Sequence, residues 1–168
     1  MSFIIELFDP QKIYTDYKKF NCGHSVTDSF VRSSLRNQIM QGFSVGYALL
    51  DTSQNDRFVG FFTIANHSIS MNQLTALNLG SLPKTIPCVR LIMLGVNKRD
   101  SRAGLGKQLI NLAFDLVKIS SESIGCFGMY LDADPQAIDF YTSLGFSLLE
   151  GNKNPHPSPM FIPVSAIP

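Results

Sequence analysis

The chain has 168 residues, 45% of them hydrophobic, and a formal net charge of +1. That length suits one compact domain, residues 1–168, and that composition fills a core, which excludes a disordered or low-complexity protein. A charge so near zero excludes coating of nucleic acid by bulk charge and leaves a local basic patch as the electrostatic route to it.

Phe3–Phe8 is a short apolar run closed by Asp9-Pro10 and reads as a strand ending in a turn. Thr27–Met40 reads as one helix, with Phe30, Val31, Ser34, Leu35 and Ile39 at partial 3–4 spacing and Gly42 suited to its end. Ser44–Leu50 and Phe58–Ala65 are rich in Val, Phe, Tyr and Leu, and the turn chemistry of Asp51–Arg57 between them predicts an antiparallel hairpin. A short helix is expected near Gln73–Leu77, then a loop with Gly80, Pro83 and Pro87. Cys88–Val96 is the most apolar run and fits a central strand. Gly104–Ile119 is the clearest helix: Leu105, Leu109, Leu112, Ala113, Leu116 and Val117 form its apolar stripe. Cys126–Ala133 reads as a strand, and Pro135–Leu144 as a helix capped by Asp134 and ended by Gly145. Phe146–Leu149 and Met160–Val164 read as final strands across a Pro- and Asn-rich loop. The order predicts a mixed sheet with helices on both faces and no linker dividing the chain.

The three cysteines, Cys22, Cys88 and Cys126, are odd in number and far apart, which suits reduced thiols better than disulfides or a CxxC metal site. The start MSFIIELFDP lacks the basic lead of a signal peptide, and no apolar run approaches the roughly 18 residues of a membrane span. The expectation is a soluble, cytoplasmic protein without membrane contact. Cys22 and His24 form a Cys-x-His pair with no second pair to complete a zinc site, so no metal is expected. His67 and His156 have no patterned partners, and neither Glu6, Glu122 nor Glu150 stands out as a catalytic base.

The chemistry concentrates where the strand Cys88–Val96 runs through Asn97–Ala103 into the helix at Gly104. The first amides of a helix have no internal acceptor, and the helix dipole adds positive charge there, so a strand–loop–helix of this kind suits a phosphate. Gly104 and Gly106 permit close backbone approach, and Lys98, Arg99, Arg102 and Lys107 add local charge. A plain turn with a solvated charged rim has the same spacing, and a lone GxG does not separate the two.

Here the chain resembles the GCN5-related N-acetyltransferase (GNAT) family. That family's acyl-CoA loop, Gln/Arg-x-x-Gly-x-Gly/Ala after a Leu-Ala-Val-Asp strand, is matched by Leu94-Gly95-Val96-Asn97 and Ser101-Arg102-Ala103-Gly104-Leu105-Gly106-Lys107. Its second hallmark, Ala-x-x-Phe-Tyr-x-x-x-Gly-Phe, is matched by Ala137 through Phe140-Tyr141 to Gly145-Phe146. Phe20-Asn21-Cys22-Gly23 and Val59-Gly60-Phe61-Phe62-Thr63-Ile64 are similar to segments of acetyltransferase toxins from bacterial toxin–antitoxin pairs, and the likeness covers most of residues 3–164. Three departures stand out. Ser101 replaces Gln or Arg, Arg102 replaces a common Gly, and Met93 stands where the toxins carry Arg. A side chain at 102 is compatible with the loop only if that position does not require positive φ.

The resemblance implies an α/β (mixed α+β) GNAT fold: a mostly antiparallel twisted sheet of about six to seven strands with helices on both faces. It implies acetyl-CoA as co-substrate, held by Leu94, Val96, Ser101, Arg102, Ala103, Gly104, Leu105, Gly106 and Lys107. It implies Tyr141 as general acid toward the departing thiolate, with a backbone N–H near Val96 polarising the carbonyl. It further implies the α-amine of aminoacyl-tRNA as acceptor, with Arg90, Lys98 and Arg99 toward RNA, a small DNA-binding antitoxin as partner, and a homodimer as one arrangement. An α-amine has a pKa of roughly 7.7–8.0 and is partly neutral without a dedicated base, unlike a lysine. A protein N-terminus, a peptide or a small amine as acceptor, and a non-catalytic acyl-CoA-binding module, stay open at the level of sequence.

Overall fold

The β-branched and aromatic runs become seven strands: β1 (Phe3–Leu7), β2 (Val45–Asp51), β3 (Arg57–Ser70), β4 (Thr85–Val96), β5 (Gly128–Ala133), β6 (Ser147–Leu148) and β7 (Ser158–Pro163). This is a computed structural model describing residues 2–149 and 157–168, with Arg102 and Ala103 described by their backbone alone. The readings of Glu150 and His156, and most of the Pro- and Asn-rich loop, lie outside the described residues. The strands form one sheet in the order β1-β2-β3-β4-β5-β7-β6. The pairs β1–β2, β2–β3, β5–β7 and β6–β7 are antiparallel and β4–β5 is parallel, which gives the expected mixed, mostly antiparallel sheet.

The helices are α1 (Ser25–Ser33), α2 (Leu35–Met40), α3 (Leu105–Ser123) and α4 (Ile138–Ser143) among the described residues. The single helix expected over Thr27–Met40 is therefore two. Ser34 leaves helical geometry at φ −129, and Ser33 Oγ bonds back to Ser29 O at 2.7 Å and lies 3.3 Å from Ser34 Oγ. Serine hydroxyls compete with the backbone ladder, and paired serines are a known cause of such breaks. Pro135–Leu144 opens as a 3-10 turn over Pro135–Ala137 before α4, and Asp134 precedes it without a side-chain cap bond; other bounds move modestly. β3 and β4 run longer than their apolar cores, and Met71–Leu77 is a 3-10 helix whose Ser70/Gln73 capping box was not foreseen. No helix among the described residues is long and apolar enough to cross a membrane.

The chain forms two compact units, Met1–Ala65 with Ile92–Leu112, and Asn66–Leu91 with Ala113–Pro168. In the first, Phe8, Tyr14, Tyr17, Phe20, Phe58 and Phe61 pack with Val31 and Leu35 into an aromatic core. A bulge where the register shifts between Leu49 and Leu50 leaves Val59 without a partner and lets Phe58 and Phe61 join the same core. Gly60 is required there, since a Cβ would stand 2.8 Å from Gly95 O. In the second unit, Ile69, Leu74, Ile86, Cys88, Tyr130, Leu149 and Phe161 form the core.

Candidate functional site

The turn that begins the acyl-CoA motif is built in the first unit from the end of β4. Leu94 and Val96 are half-buried there and Gly95 is buried. Asn97 N donates to Val59 O at 2.7 Å, and Lys98 N donates to Asn21 O at 2.9 Å. The Phe20-Asn21-Cys22-Gly23 segment thus anchors the start of the turn. It is rigid in its own right: Gly23 has φ +87, Asn21 Oδ1 accepts Gly23 N, and Asp28 Oδ1 accepts Cys22 N, both at 2.9 Å.

Lys98–Ala103 then forms a 3-10 helix rather than an open loop. Its anchor is Asp100, 8% exposed, which receives a two-pronged bond from Arg57, Nη1 to Oδ2 at 3.1 Å and Nη2 to Oδ1 at 2.9 Å. Arg57 is 1% exposed, with Asp51 Oδ2 at 3.6 Å from Nη2 and Gln54 Oε1 accepting from Nε at 3.0 Å. The fork of a guanidinium matches a carboxylate in this geometry. Neither residue was singled out by sequence: Arg57 reads as turn and Asp100 as loop.

Arg102 lies within the 3-10 stretch, a conformation of negative φ, so a side chain at that position is compatible with the backbone. The left-handed residue of the turn is Gly104, at φ +71 and ψ 20, exposed, with open space where a Cβ would be. α3 follows directly. Gln108 N donates to Gly104 O at 3.2 Å, so the amides of Leu105, Gly106 and Lys107 precede the helical ladder and carry its positive dipole end. Ser101 Oγ turns back to Lys98 O at 2.9 Å. Lys98 and Arg99 are exposed, with Arg99 Nη2 3.5 Å from Gln54 Oε1.

Tyr141 is set in the second unit by the end of α4. Gly145 N donates to Thr142 O and Phe146 N to Tyr141 O, both at 3.1 Å, with Gly145 at φ +105. That is a Schellman ending, and its hydrophobic contact is the Tyr141–Phe146 ring pair at 5.5 Å. The Phe-Tyr-x-x-x-Gly-Phe hallmark is thus a device that fixes one phenol. Burial pushes the Tyr141 hydroxyl well above its ordinary value, and the charge of Asp134 adds to the rise.

Arg90 belongs to a cluster in the second unit. Its Nη2 donates to Asp132 Oδ2 at 3.2 Å, Tyr130 Oη donates to Asp132 Oδ1 at 2.9 Å, and the His67 ring lies 5.0 Å from that of Tyr130. Met93, where the toxins carry Arg, instead packs on the aromatic core, with Thr27 Oγ1 3.9 Å from its sulfur. The Cys22 and His24 pair has a structural use. His24 caps α1 by accepting from Thr27 N, and burial pushes the Cys22 thiol up to about 11, far from a nucleophile. Sequence reasoning also missed a cavity of about 490 Å³ in the first unit, lined by Tyr14, Tyr17, Lys18, Lys19, Arg32 and Arg36 with Ile13 and Asp16. Arg36 is committed to Pro10 O, Lys12 O and the Tyr17 ring, whereas Lys18 and Arg32 are exposed.

No family model matches the chain. A solved structure described as a bacterial toxin superposes with a TM-score of 0.92 at 33% identity, covering 98% of this chain and 92% of that one. A tRNA-acetylating toxin of Mycobacterium tuberculosis is 25% identical over 134 residues, 79% of each chain. The structure of AtaTR bound with AcCoA matches with a TM-score of 0.82 at 25% identity, over 97% of this chain and 94% of that one.

Proposed function

The chain belongs to the acetyltransferase toxins of the GCN5-related N-acetyltransferase family, and from that membership we propose that it transfers acetyl from acetyl-CoA to the α-amine of aminoacyl-tRNA and so stops translation. The observation that carries the reading is the turn at Gly104. It presents the first amides of α3, those of Leu105, Gly106 and Lys107, after a left-handed glycine, on a base held by the buried Arg57–Asp100 pair. Such amides suit the pyrophosphate of coenzyme A, with Ser101, Arg102 and Ala103 contributing backbone and Leu94 and Val96 flanking the pantetheine arm.

In this reading the neutral amine attacks the thioester carbonyl, which an amide near Val96 polarises, and the thiolate leaves toward the Tyr141 hydroxyl. The pairing of β4 with β5 covers Val89–Leu91 and stops there, which supports an open stretch of β4 beyond it. The acceptor places the activity in the cytoplasm, and an antitoxin that covers the site is the partner such a toxin needs. Incubation with labelled acetyl-CoA and either charged tRNA or peptides tests the acceptor: label on tRNA is expected, and label confined to peptides overturns it.

Two further results are expected. Gly104→Val forces a β-branched residue into left-handed backbone and crowds the phosphate, so acetyl-CoA affinity should fall more than tenfold, about 1.4 kcal/mol. Unchanged affinity by calorimetry in the folded variant rules out this placement. The second concerns RNA. The exposed Lys18 and Arg32 at the rim of the Tyr14–Tyr17 cavity supply the local charge that the near-neutral total lacks. Lys18→Ala with Arg32→Ala should weaken tRNA binding and reduce the slope of log affinity against log salt by roughly 1–2, with acetyl-CoA affinity unchanged. An unaltered slope removes this cavity from the RNA path.

A further inference from the structure

We propose that His67 accepts the proton of the attacking amine, from within a cluster with Arg90, Tyr130 and Asp132 that receives the acceptor; this rests on the acetyltransferase reading above.

The cluster joins three neighbouring strands. His67 comes from β3, Arg90 from β4, and Tyr130 and Asp132 from β5. Nearby positions of the same unit hold Ile69, Ile86, Cys88 and Phe161, an apolar core in which four polar groups need a reason. Stability is a poor one. The Arg90–Asp132 pair keeps side-chain exposures of 39% and 26%, and pairs so placed contribute about 0–1 kcal/mol. Arg90 Nε is moreover buried without a hydrogen-bond partner, a cost that a purely structural pair would shed. A half-exposed polar cluster with one donor left over fits a surface that binds something.

Its place on β5 ties it to the reaction. Asp132 lies one residue beyond the last β4–β5 pair, Leu91 with Leu131. Two residues on, roughly 7 Å along a strand, stands Asp134, whose charge raises the Tyr141 hydroxyl. The cluster therefore lies at the end of β5, next to the residue whose charge the Tyr141 hydroxyl on α4 feels.

Within the cluster the roles separate by chemistry. Arg90 is a permanent cation. Tyr130 is pushed up to about 12 by burial and by its bond to Asp132, so it stays a donor. Asp132 is occupied on both oxygens. His67, half-exposed, is the one of the four able to take up a proton near neutral pH. The groups around it are Arg90, Tyr130 and Asp132. Burial and then the Arg90 charge hold its imidazole below the ordinary value, against the opposing pull of Asp132, so the ring is neutral at pH 7.

The step balances. The amine nitrogen forms a bond to the acetyl carbon, the carbon–sulfur bond breaks, and the electron pair leaves with sulfur. One nitrogen proton passes to the imidazole, and the thiolate takes the Tyr141 proton. Imidazolium and phenolate then exchange with water, which leaves acetylated amine and free coenzyme A. An α-amine is neutral often enough to attack without a dedicated base, but the proton it sheds on attack still needs an acceptor.

The test uses the intact protein with two acceptors that share an α-amine, charged tRNA and methionine methyl ester. His67→Gln and His67→Ala should keep acetyl-CoA affinity and lower kcat by about 10²–10⁴-fold on both. Log kcat of the wild type should fall with a slope nearing 2 once the pH is low enough to protonate both the acceptor amine and His67, whose imidazole is held below its ordinary value, against a slope of 1 in His67→Gln. Added imidazole should return part of the rate to His67→Ala. Variants with wild-type kcat and a wild-type slope overturn the assignment. A wild type that acetylates only the ester overturns the RNA acceptor and leaves the His67 result readable, whereas a wild type inactive on both overturns the two together.

Discussion

Tyr141→Phe should leave the fold and acetyl-CoA affinity nearly unchanged while kcat falls by about 10²–10⁴-fold. The ring is what the structure uses for packing. It stands edge-on to Phe140 at 5.1 Å and to Phe146 at 5.5 Å, and the Schellman ending of α4 uses the carbonyl of Tyr141, which Phe has too. Only the hydroxyl changes. That hydroxyl is held well above its usual value by burial, so it remains protonated across the physiological range and adds no alkaline limb to the rate below pH 10. Transfer of its proton to a thiolate near 8.5 is therefore more uphill than free tyrosine would make it. Its contribution must come from position, by hydrogen-bonding the sulfur as charge develops and slowing collapse back to thioester. A folded pKa above the unfolded value of about 10 stabilises fully below that pH and is lost as pH rises beyond it. The Phe variant should lack that alkaline loss. In cells, growth inhibition should disappear with the hydroxyl. A variant that turns over at the wild-type rate, with chemistry rate-limiting, would leave Tyr141 a packing residue.

How far the sequence revealed this site depends on the range over which each feature is encoded. The helix α3, the Gly104 turn and the Phe-Tyr-x-x-x-Gly-Phe ending are written in contiguous residues, because dipole, left-handed backbone and Schellman bonds all act within a few positions. What stayed hidden was long-range or competitive. Ser33 and Ser34 break the first helix through hydroxyl bonds that an apolar periodicity does not register. His67, Arg90, Tyr130 and Asp132 meet only once three strands pair, so no spacing signals them. The cavity with Lys18 and Arg32 forms where a 3-10 turn at Tyr17–Lys19 approaches α1, and neither segment is basic enough alone to stand out. Arg57 and Asp100 lie 43 positions apart, one in turn chemistry and one in a charged loop, and look solvated until the fold buries them.

That last pair should give the largest stability effect in the chain. Asp100→Ala leaves the Arg57 guanidinium 1% exposed with its two-pronged partner gone, and breaking a buried pair from one side costs about 3–5 kcal/mol. For a chain of this length the melting temperature should fall by roughly 6–20 °C. The loss is mostly that of the two-pronged partner of a buried guanidinium, which then keeps the longer Asp51 contact at 3.6 Å, so removing both ends should recover much of it. Arg57→Met with Asp100→Leu is expected to melt well above Asp100→Ala, though below the wild type, because Asp51 then keeps Ser53 and Gln54 but loses its cation. Acetyl-CoA binding separates stability from function. The pair pins the 3-10 stretch Lys98–Ala103 that leads to Gly104, and an apolar substitute packs without fixing the direction of that turn. The double variant should therefore be stable yet bind acetyl-CoA at least tenfold more weakly. Full affinity in that variant, measured well below its melting temperature, would mean that Asn97 and Lys98, through Val59 and Asn21, hold the turn by themselves. Arg57–Asp100 would then be an element of the core and not of the site.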